Sequence, residues 1–170
     1  MAAAEIRRLV PADLPAYKIL RDEVLAAHPQ AFTSDAAPGR PPESYRLRLG
    51  APGGDGGEFT LGAWHSERLV GAVTCERDAR PKVHHIGHLV GMMVSAEARA
   101  HGVGRALLDE CVVQARAAHG LVMLTLTVTA GNAPAVHLYE RAGFRRYGRL
   151  ERAICVDGVY HAKDQMVLAL

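Results

Sequence analysis

Apolar positions in this chain come in short runs, broken by polar, proline or glycine clusters, and their spacing changes along the sequence. Ile6 to Val10 reads as a short strand. From Leu14 onward the spacing becomes helical. Leu14, Tyr17, Ile19, Leu20, Val24 and Leu25 supply the apolar side of a helix that Asp13 caps and His28-Pro29 ends, near Ala27. Residues 33–57 lose the pattern among Pro38, Pro41, Pro42 and the glycines Gly50, Gly53, Gly54, Gly56 and Gly57. A short helix over Glu43 to Leu49 is expected there, with the glycine cluster as a loop. Phe59 to His65 and Leu69 to Glu76 alternate as strands joined by a turn at Ser66-Glu67-Arg68. Val83 to Val94 reads as a third, longer strand.

The second half repeats the alternation of strand and helix. Val103 to His119 is predicted helical, with Val103, Ala106, Leu107, Cys111 and Val112 near one face and Gly120 as its stop. Leu121 to Val128 is a strand, Ala130-Gly131 a turn, and Pro134 to Ala142 a short helix capped by Asn132 and ended at Gly143. Arg145 to Val156 and Val159 to Leu168 are strands around the hairpin signal Asp157-Gly158. The order β-α-(α)-β-β-β-α-β-α-β-β predicts an α/β (α+β) fold, a mixed sheet with helices on both faces.

One junction carries chemistry. Leu89 to Val94 runs straight into Ser95-Ala96-Glu97-Ala98-Arg99-Ala100-His101-Gly102-Val103-Gly104-Arg105, where a helix begins. Amides in a first helical turn have no intrahelical partner, and the helix dipole adds positive character there, so the junction suits a phosphate. Arg99 and Arg105 bracket it with cations. A Walker loop would place Lys-Ser or Lys-Thr after the glycines, and none is present. A Rossmann fingerprint would place a small residue at Leu107 and an acidic residue near position 124, and neither is present.

Arg-x-x-Gly-x-Gly after a strand ending at Val94, followed by Asn132-Ala133-Pro134-Ala135-Val136-His137-Leu138-Tyr139-Glu140-Arg141-Ala142-Gly143-Phe144, resembles the GNAT N-acetyltransferase superfamily. The second segment is similar to that family's Asn-x-x-Ala-x-x-x-Tyr-x-x-x-Gly-Phe. The resemblance is firm from about Ile86 to Phe144 and says little about residues 1–60. It implies a mostly antiparallel sheet of about seven strands flanked by helices, with acetyl-CoA as co-substrate. It implies a pyrophosphate on backbone amides of Ala100, His101, Gly102, Val103, Gly104 and Arg105, with Arg99 beside them. Met92, Met93 and Val94 would pair with the pantetheine arm, and a bulge would leave one amide near Met93 or Val94 to polarise the thioester carbonyl. Asn132 would contact the cofactor, and Tyr139 would protonate the leaving thiolate.

The base is less determined. A lysine amine is only about 0.04% neutral at pH 7, an α-amine roughly 14%. Many relatives carry a glutamate roughly where His88 lies, and some protein N-terminal acetyltransferases carry one where this chain has Thr127. Histidine as a residue type exchanges protons near neutrality, so His88 is a candidate, but it equally reads as a hydrogen-bonded strand residue, and a water chain is a third route. These departures keep a non-catalytic acyl-CoA-binding module, regulatory or partner-docking, as the alternative to an enzyme that transfers acetyl directly in a ternary complex. Dimerisation is common among relatives, so a homodimer stays open. The acceptor, a small-molecule or peptide amine, is not named by these residues. Residues 28–60 and the 150–162 hairpin, with Tyr160 and His161, would shape its site.

Composition narrows the rest. The 170 residues are 49% hydrophobic and 22% charged, which fits one globular domain over 1–170. A net charge of +2 gives no footprint for nucleic acid or a membrane, and no apolar run has the length of a membrane span. The N-terminal sequence lacks a signal-peptide core. Cys75, Cys111 and Cys155 have no Cys-x-x-Cys spacing and read as small core residues in a reducing compartment, so a cytoplasmic location is expected. No metal site is expected: on a strand His84 and His85 would face opposite ways, and His84 and His88 would lie about 13 Å apart. Arg141, Arg145, Arg146, Arg149 and Arg152 read as a solvated basic surface, within possible reach of the 3′-phosphate of CoA or an acidic partner.

Overall fold

The computed structural model describes residues 4–48 and 57–170, with the side chains of 46–48 left aside. The glycine loop is thus outside the described residues except for Gly57. The strands are β1 (Glu5–Arg8), β2 (Phe59–His65), β3 (Arg68–Arg77), β4 (Ile86–Val94), β5 (Met123–Thr129), β6 (Arg145–Val156) and β7 (Val159–Ala169). The α-helices are α1 (Leu14–Ala27), α2 (Val103–Ala117) and α3 (Ala133–Arg141), and Pro42–Arg48 is 3-10 helical. One seven-stranded sheet has the order β1-β2-β3-β4-β5-β7-β6. Every neighbouring pair is antiparallel except β4 and β5.

Two apolar layers sandwich the sheet. Leu107, Leu108, Cys111 and Val112 of α2, with Tyr139 of α3, pack on Val73, Cys75, Leu89, Leu124, Leu126 and Met166. Tyr17, Leu20, Val24 and Leu25 of α1 pack with Tyr45 on Ala72 and Met93. Burying each such leucine or valine stabilises the fold by about 1.5–3 kcal/mol.

Local departures from the expected pattern have identifiable causes. Ile19, expected on the buried side of α1, is 67% exposed, because it lies about 100° around the helix from Leu20 and the layer is closed by Tyr17 and Val24 instead. Ala106 is likewise exposed, and Leu108 takes the core position on α2. Asp13 precedes α1 but caps no helical amide. Its carboxylate accepts from Val10 N and from both terminal nitrogens of Arg7, at 2.8–2.9 Å, and so ties β1 to the helix start. Val83, His84 and His85 are turn residues ahead of β4, not strand. The alternating-face premise for His84 and His85 therefore does not hold. Cys155 is exposed on β6, unlike buried Cys75 and Cys111.

Candidate functional site

The site begins where two neighbouring strands stop pairing. β4 and β5 are matched only from Ile86–Met123 to Leu89–Leu126. Both continue beyond, β4 to Val94 and β5 to Thr129, with no ladder between them. The cause lies in β4. Gly91 has φ +59°, and the β3 register passes from Thr74–Val90 to Ala72–Met93, so β4 carries one extra residue. That is a β-bulge, which bends its strand and breaks the local ladder. A side chain at Gly91 would meet only Tyr17 Oη at 3.7 Å, so the backbone angle, not space, demands glycine.

The bulge also decides which amide faces the opening. Ser95 N donates to Val70 O at 2.9 Å, just past the paired residues Gly71 and Val94. Alternation along an antiparallel pair then turns Met93 toward β3 and the N–H of Val94 toward β5. Val94 O accepts from Arg99 Nε at 3.3 Å, on that same side.

The loop after β4 is shaped for exposed amides. Ala100 (φ +62°) and Gly102 (φ +77°) both take left-handed conformations. Gly102 is the residue before α2, and its carbonyl accepts from Ala106 N at 3.0 Å. Among the described residues, no backbone acceptor takes the N–H of Gly102, Val103, Gly104 or Arg105. A Cβ on Gly104 would lie 3.6 Å from each of Met92 Cε, Val94 Cγ2 and Leu138 Cδ2. The start of α2, the end of β4 and α3 therefore converge there. His101 is exposed, with Nδ1 2.9 Å from Arg99 O. Arg105 does not bracket the loop as expected: its Nε is 2.8 Å from both carboxylate oxygens of Asp109, and its Nη1 donates to Arg141 O at 3.2 Å.

α3 closes the other side. Asn132 caps it, Oδ1 accepting from Ala135 N at 3.3 Å. Tyr139 is 7% exposed, and its ring meets Phe144 edge-on at 5.9 Å. Its hydroxyl makes no hydrogen bond to the described residues. Burial, and then the nearby Cys111 sulfur, push the phenol pKa upward, so it stays protonated through the neutral range. Burial pushes the Cys75 thiol up to about 12, which makes it inert packing.

The opposite, α1-facing surface is polar around the same opening. His88 is exposed between register partners Glu76 on β3 and Thr125 on β5, with Nδ1 2.6 Å from Thr125 Oγ1. Thr127 and Thr129 follow on the same face, opposite Gln165 and Lys163 of β7. The segment after α1 lies over them: Thr129 Oγ1 donates to Gln30 O at 2.7 Å, and Lys163 Nζ to Thr33 Oγ1 at 3.2 Å. His28, which ends α1, has its pKa lowered by burial and then by the charge of Arg99, so this segment also approaches the loop between β4 and α2.

The structure therefore brings Met92, Val94, Gly104 and the α3 side chain Leu138 together, with Tyr139 on the adjoining turn, and sets His88 on the other face. Sequence reasoning missed Glu76, Lys163 and Gln165. Inward alternation along β7 was the available signal for the last two. The basic cluster is exposed but partly committed: Arg149 grips buried Asp164 at 2.6 and 3.1 Å, Arg146 lies 3.6 Å from it, and Arg152 (φ +52°) stacks over Tyr160.

Known proteins share this architecture. The chain is 34% identical over 126 residues to the mycothiol acetyltransferase of Geodermatophilus obscurus, covering 72% of this chain and 38% of that one. It is 32% identical over 97 residues to N-alpha-acetyltransferase 30 of Schizosaccharomyces pombe, covering 56% and 63%. The chain thus spans less than two thirds of the length of these curated relatives. An acetyltransferase of GNAT family from Streptococcus pneumoniae superposes with a TM-score of 0.88 at 25% identity, over 98% of this chain and 99% of that one. The family model for the acetyltransferase (GNAT) family matches residues 21–144, the span holding the bulge, the loop between β4 and α2, Asn132 and Tyr139, and the chain belongs to that family.

Proposed function

We propose that this protein is an acetyl-CoA-dependent N-acetyltransferase that passes an acetyl group directly to an amine in a ternary complex. The observation that carries it is the convergence at one strand opening of the unpaired α2 amides and the Val94 N–H, with α3, which carries the protonated Tyr139 phenol, packed against it through Leu138. Family membership supports acetyl-CoA as the donor. Its pyrophosphate suits the amides from Gly102 to Arg105, and its pantetheine arm the free edge of β4 at Met92 to Val94. The loop residues Arg99, Ala100 and His101 and the helix cap Asn132 border the same opening.

The chemistry follows from these positions. A neutral amine attacks the thioester carbonyl carbon, and the oxygen gains charge beside the Val94 N–H. Collapse of the tetrahedral intermediate breaks the C–S bond, and the departing sulfur takes a proton from Tyr139. The amine enters from the α1-facing side, where His88, through water, accepts the proton it loses. We place the protein in the cytoplasm, on the strength of its unpaired cysteines, and read residues 1–170 as one domain around a single sheet. Among the described residues no helix is long and apolar enough to cross a membrane.

Isothermal titration with acetyl-CoA, followed by CoA release on an amine panel, tests this function. Saturable binding with amine-dependent release is expected. Absence of binding at millimolar acetyl-CoA overturns it. Binding without release on any amine establishes the non-catalytic acyl-CoA module instead, a reading that Thr127 in place of a carboxylate favours.

A further inference from the structure

Lys163 is a buried cation with no carboxylate partner among the described residues. It lies on β7 opposite Thr129, on the α1-facing side and beyond the last β4–β5 pair. It is 9% exposed, and its Nζ donates to the neutral hydroxyl of Thr33. Among the described residues no carboxylate pairs with it, and burial alone lowers its pKa. The adjacent carboxylate, Asp164, belongs to the other face, where Arg149 and Arg146 hold it. Its neighbours on its own face, Thr127, Thr129 and Gln165, are uncharged. An ammonium has three N–H donors, and one hydroxyl leaves most of that capacity unmet. A buried charge is costly unless paired.

We propose that Lys163 receives a carboxylate of the acceptor, so that the preferred substrates are amines carrying a carboxylate close to the amine. The inference rests on the N-acetyltransferase function above and names its substrate class. A bare ammonium acceptor would meet like charge at this position. A zwitterionic one brings its own counter-charge, and Lys163 then helps disfavour the protonated amine. The carboxylate comes either from a free amino acid or from an acidic side chain next to a peptide N-terminus.

Matched acceptors separate these sources. Alanine against alaninamide tests the α-carboxylate, and alanyl-aspartate diamide against alanyl-asparagine amide tests the side chain. Wild-type kcat/KM is expected to favour the carboxylate member of at least one pair on the order of 30-fold, the value of one charge-assisted pairing. Lys163→Met, nearly isosteric, should erase the preference, the carboxylate member losing far more of its kcat/KM than the neutral member. Lys163→Arg should keep part of it, and Thr33→Val should reduce it several-fold. Titration of the same four compounds into protein saturated with CoA gives the comparison without turnover. Equal kcat/KM and equal binding within both pairs, or equal losses on both members in Lys163→Met, overturn the inference. Carboxylate-dependent binding that Lys163→Met abolishes, without any acetyl transfer, supports the Lys163 site and overturns the transferase function instead.

Discussion

Tyr139→Phe separates catalysis from folding, because the two consequences have opposite signs. The ring is 7% exposed and packed edge-on against Phe144 at 5.9 Å, and phenylalanine keeps both features. The hydroxyl makes no hydrogen bond to the described residues, so its removal orphans no partner. A largely buried hydroxyl without a protein partner costs about 1 kcal/mol, toward the low end of its desolvation penalty because some solvent reaches the residue. Deleting it should therefore leave stability unchanged or raise it by up to about 1 kcal/mol. For a chain of 170 residues that is about 2–4 °C in Tm. Turnover should fall by about 100-fold or more, the usual contribution of a positioned acid, with acetyl-CoA affinity kept within about threefold. The phenol is shifted upward, so it remains protonated from neutral pH to well above it, and its loss should depress the pH–rate profile without moving its limbs. Thermal unfolding, titration with acetyl-CoA and CoA-release kinetics from pH 6 to 9 read all three quantities. A Tm lowered by several degrees would mean the hydroxyl has a structural partner. Unchanged turnover would remove Tyr139 from the proton transfer.

Gly102→Ala should cost about 1 kcal/mol in urea unfolding and weaken acetyl-CoA binding, because φ +77° strains any L side chain although nothing lies within 4 Å. Gly104→Ala meets only ordinary 3.6 Å contacts, so its stability should be unchanged; an equal loss of stability in both would refute the backbone argument. Arg149, and more weakly Arg146, hold the buried Asp164 carboxyl below its ordinary range. A depressed folded-state pKa stabilises above the unfolded value, about 3.9, and that contribution is lost as pH falls through the folded value. The stability gap between wild type and Arg149→Met should thus be flat above about pH 5 and shrink below about pH 4; a gap that grows with acid contradicts this. His88→Gln, which can keep a hydrogen bond to Thr125, should lower amine turnover about 100-fold with acetyl-CoA affinity intact, and unchanged turnover would assign proton removal to water alone.

The succession of strands and helices along the chain follows from alternation and helical spacing, which is why every strand and α-helix was legible within a few residues, whereas the spatial order of the strands, with β7 between β5 and β6, is not encoded in that pattern. What the pattern hid were single-residue choices. Ile19 shares the helical run of α1, but only packing against Tyr45 and Met93 decides that Tyr17 and Val24 close the layer. Val83 to His85 look strand-like, yet Ile86 N bonds back to Val83 O and the chain turns before β4 starts. Asp13 looks like a helix cap until Arg7, brought alongside by β1, takes its carboxylate. Each of these depends on a neighbour distant along the chain or on a turn that hydrophobicity does not encode.

The same division separates the donor and acceptor halves of the site as proposed. The donor half is made of backbone: a bulge at Gly91, left-handed residues at Ala100 and Gly102, free amides at the start of α2 and one amide at Val94. Backbone geometry of this kind leaves glycines at fixed spacing, and such spacing can be read in one dimension. The acceptor half is made of side chains that meet only after β4, β5 and β7 have paired and the segment from Gln30 to Thr33 has crossed them. His88 and Thr127 stand out in the sequence only through the family resemblance, and Lys163 is unremarked because nothing local requires it. Their chemistry arises from sharing one face: a histidine held by a threonine, an uncharged threonine, and a cation with no carboxylate partner among the described residues. An acceptor that supplies its own negative charge fits all three positions at once, since it neutralises Lys163 without requiring a carboxylate from Thr127. The missing acid and the unpaired base are then two sides of one specificity, and the Lys163→Met exchange on matched acids and amides is the measurement that separates it from coincidence.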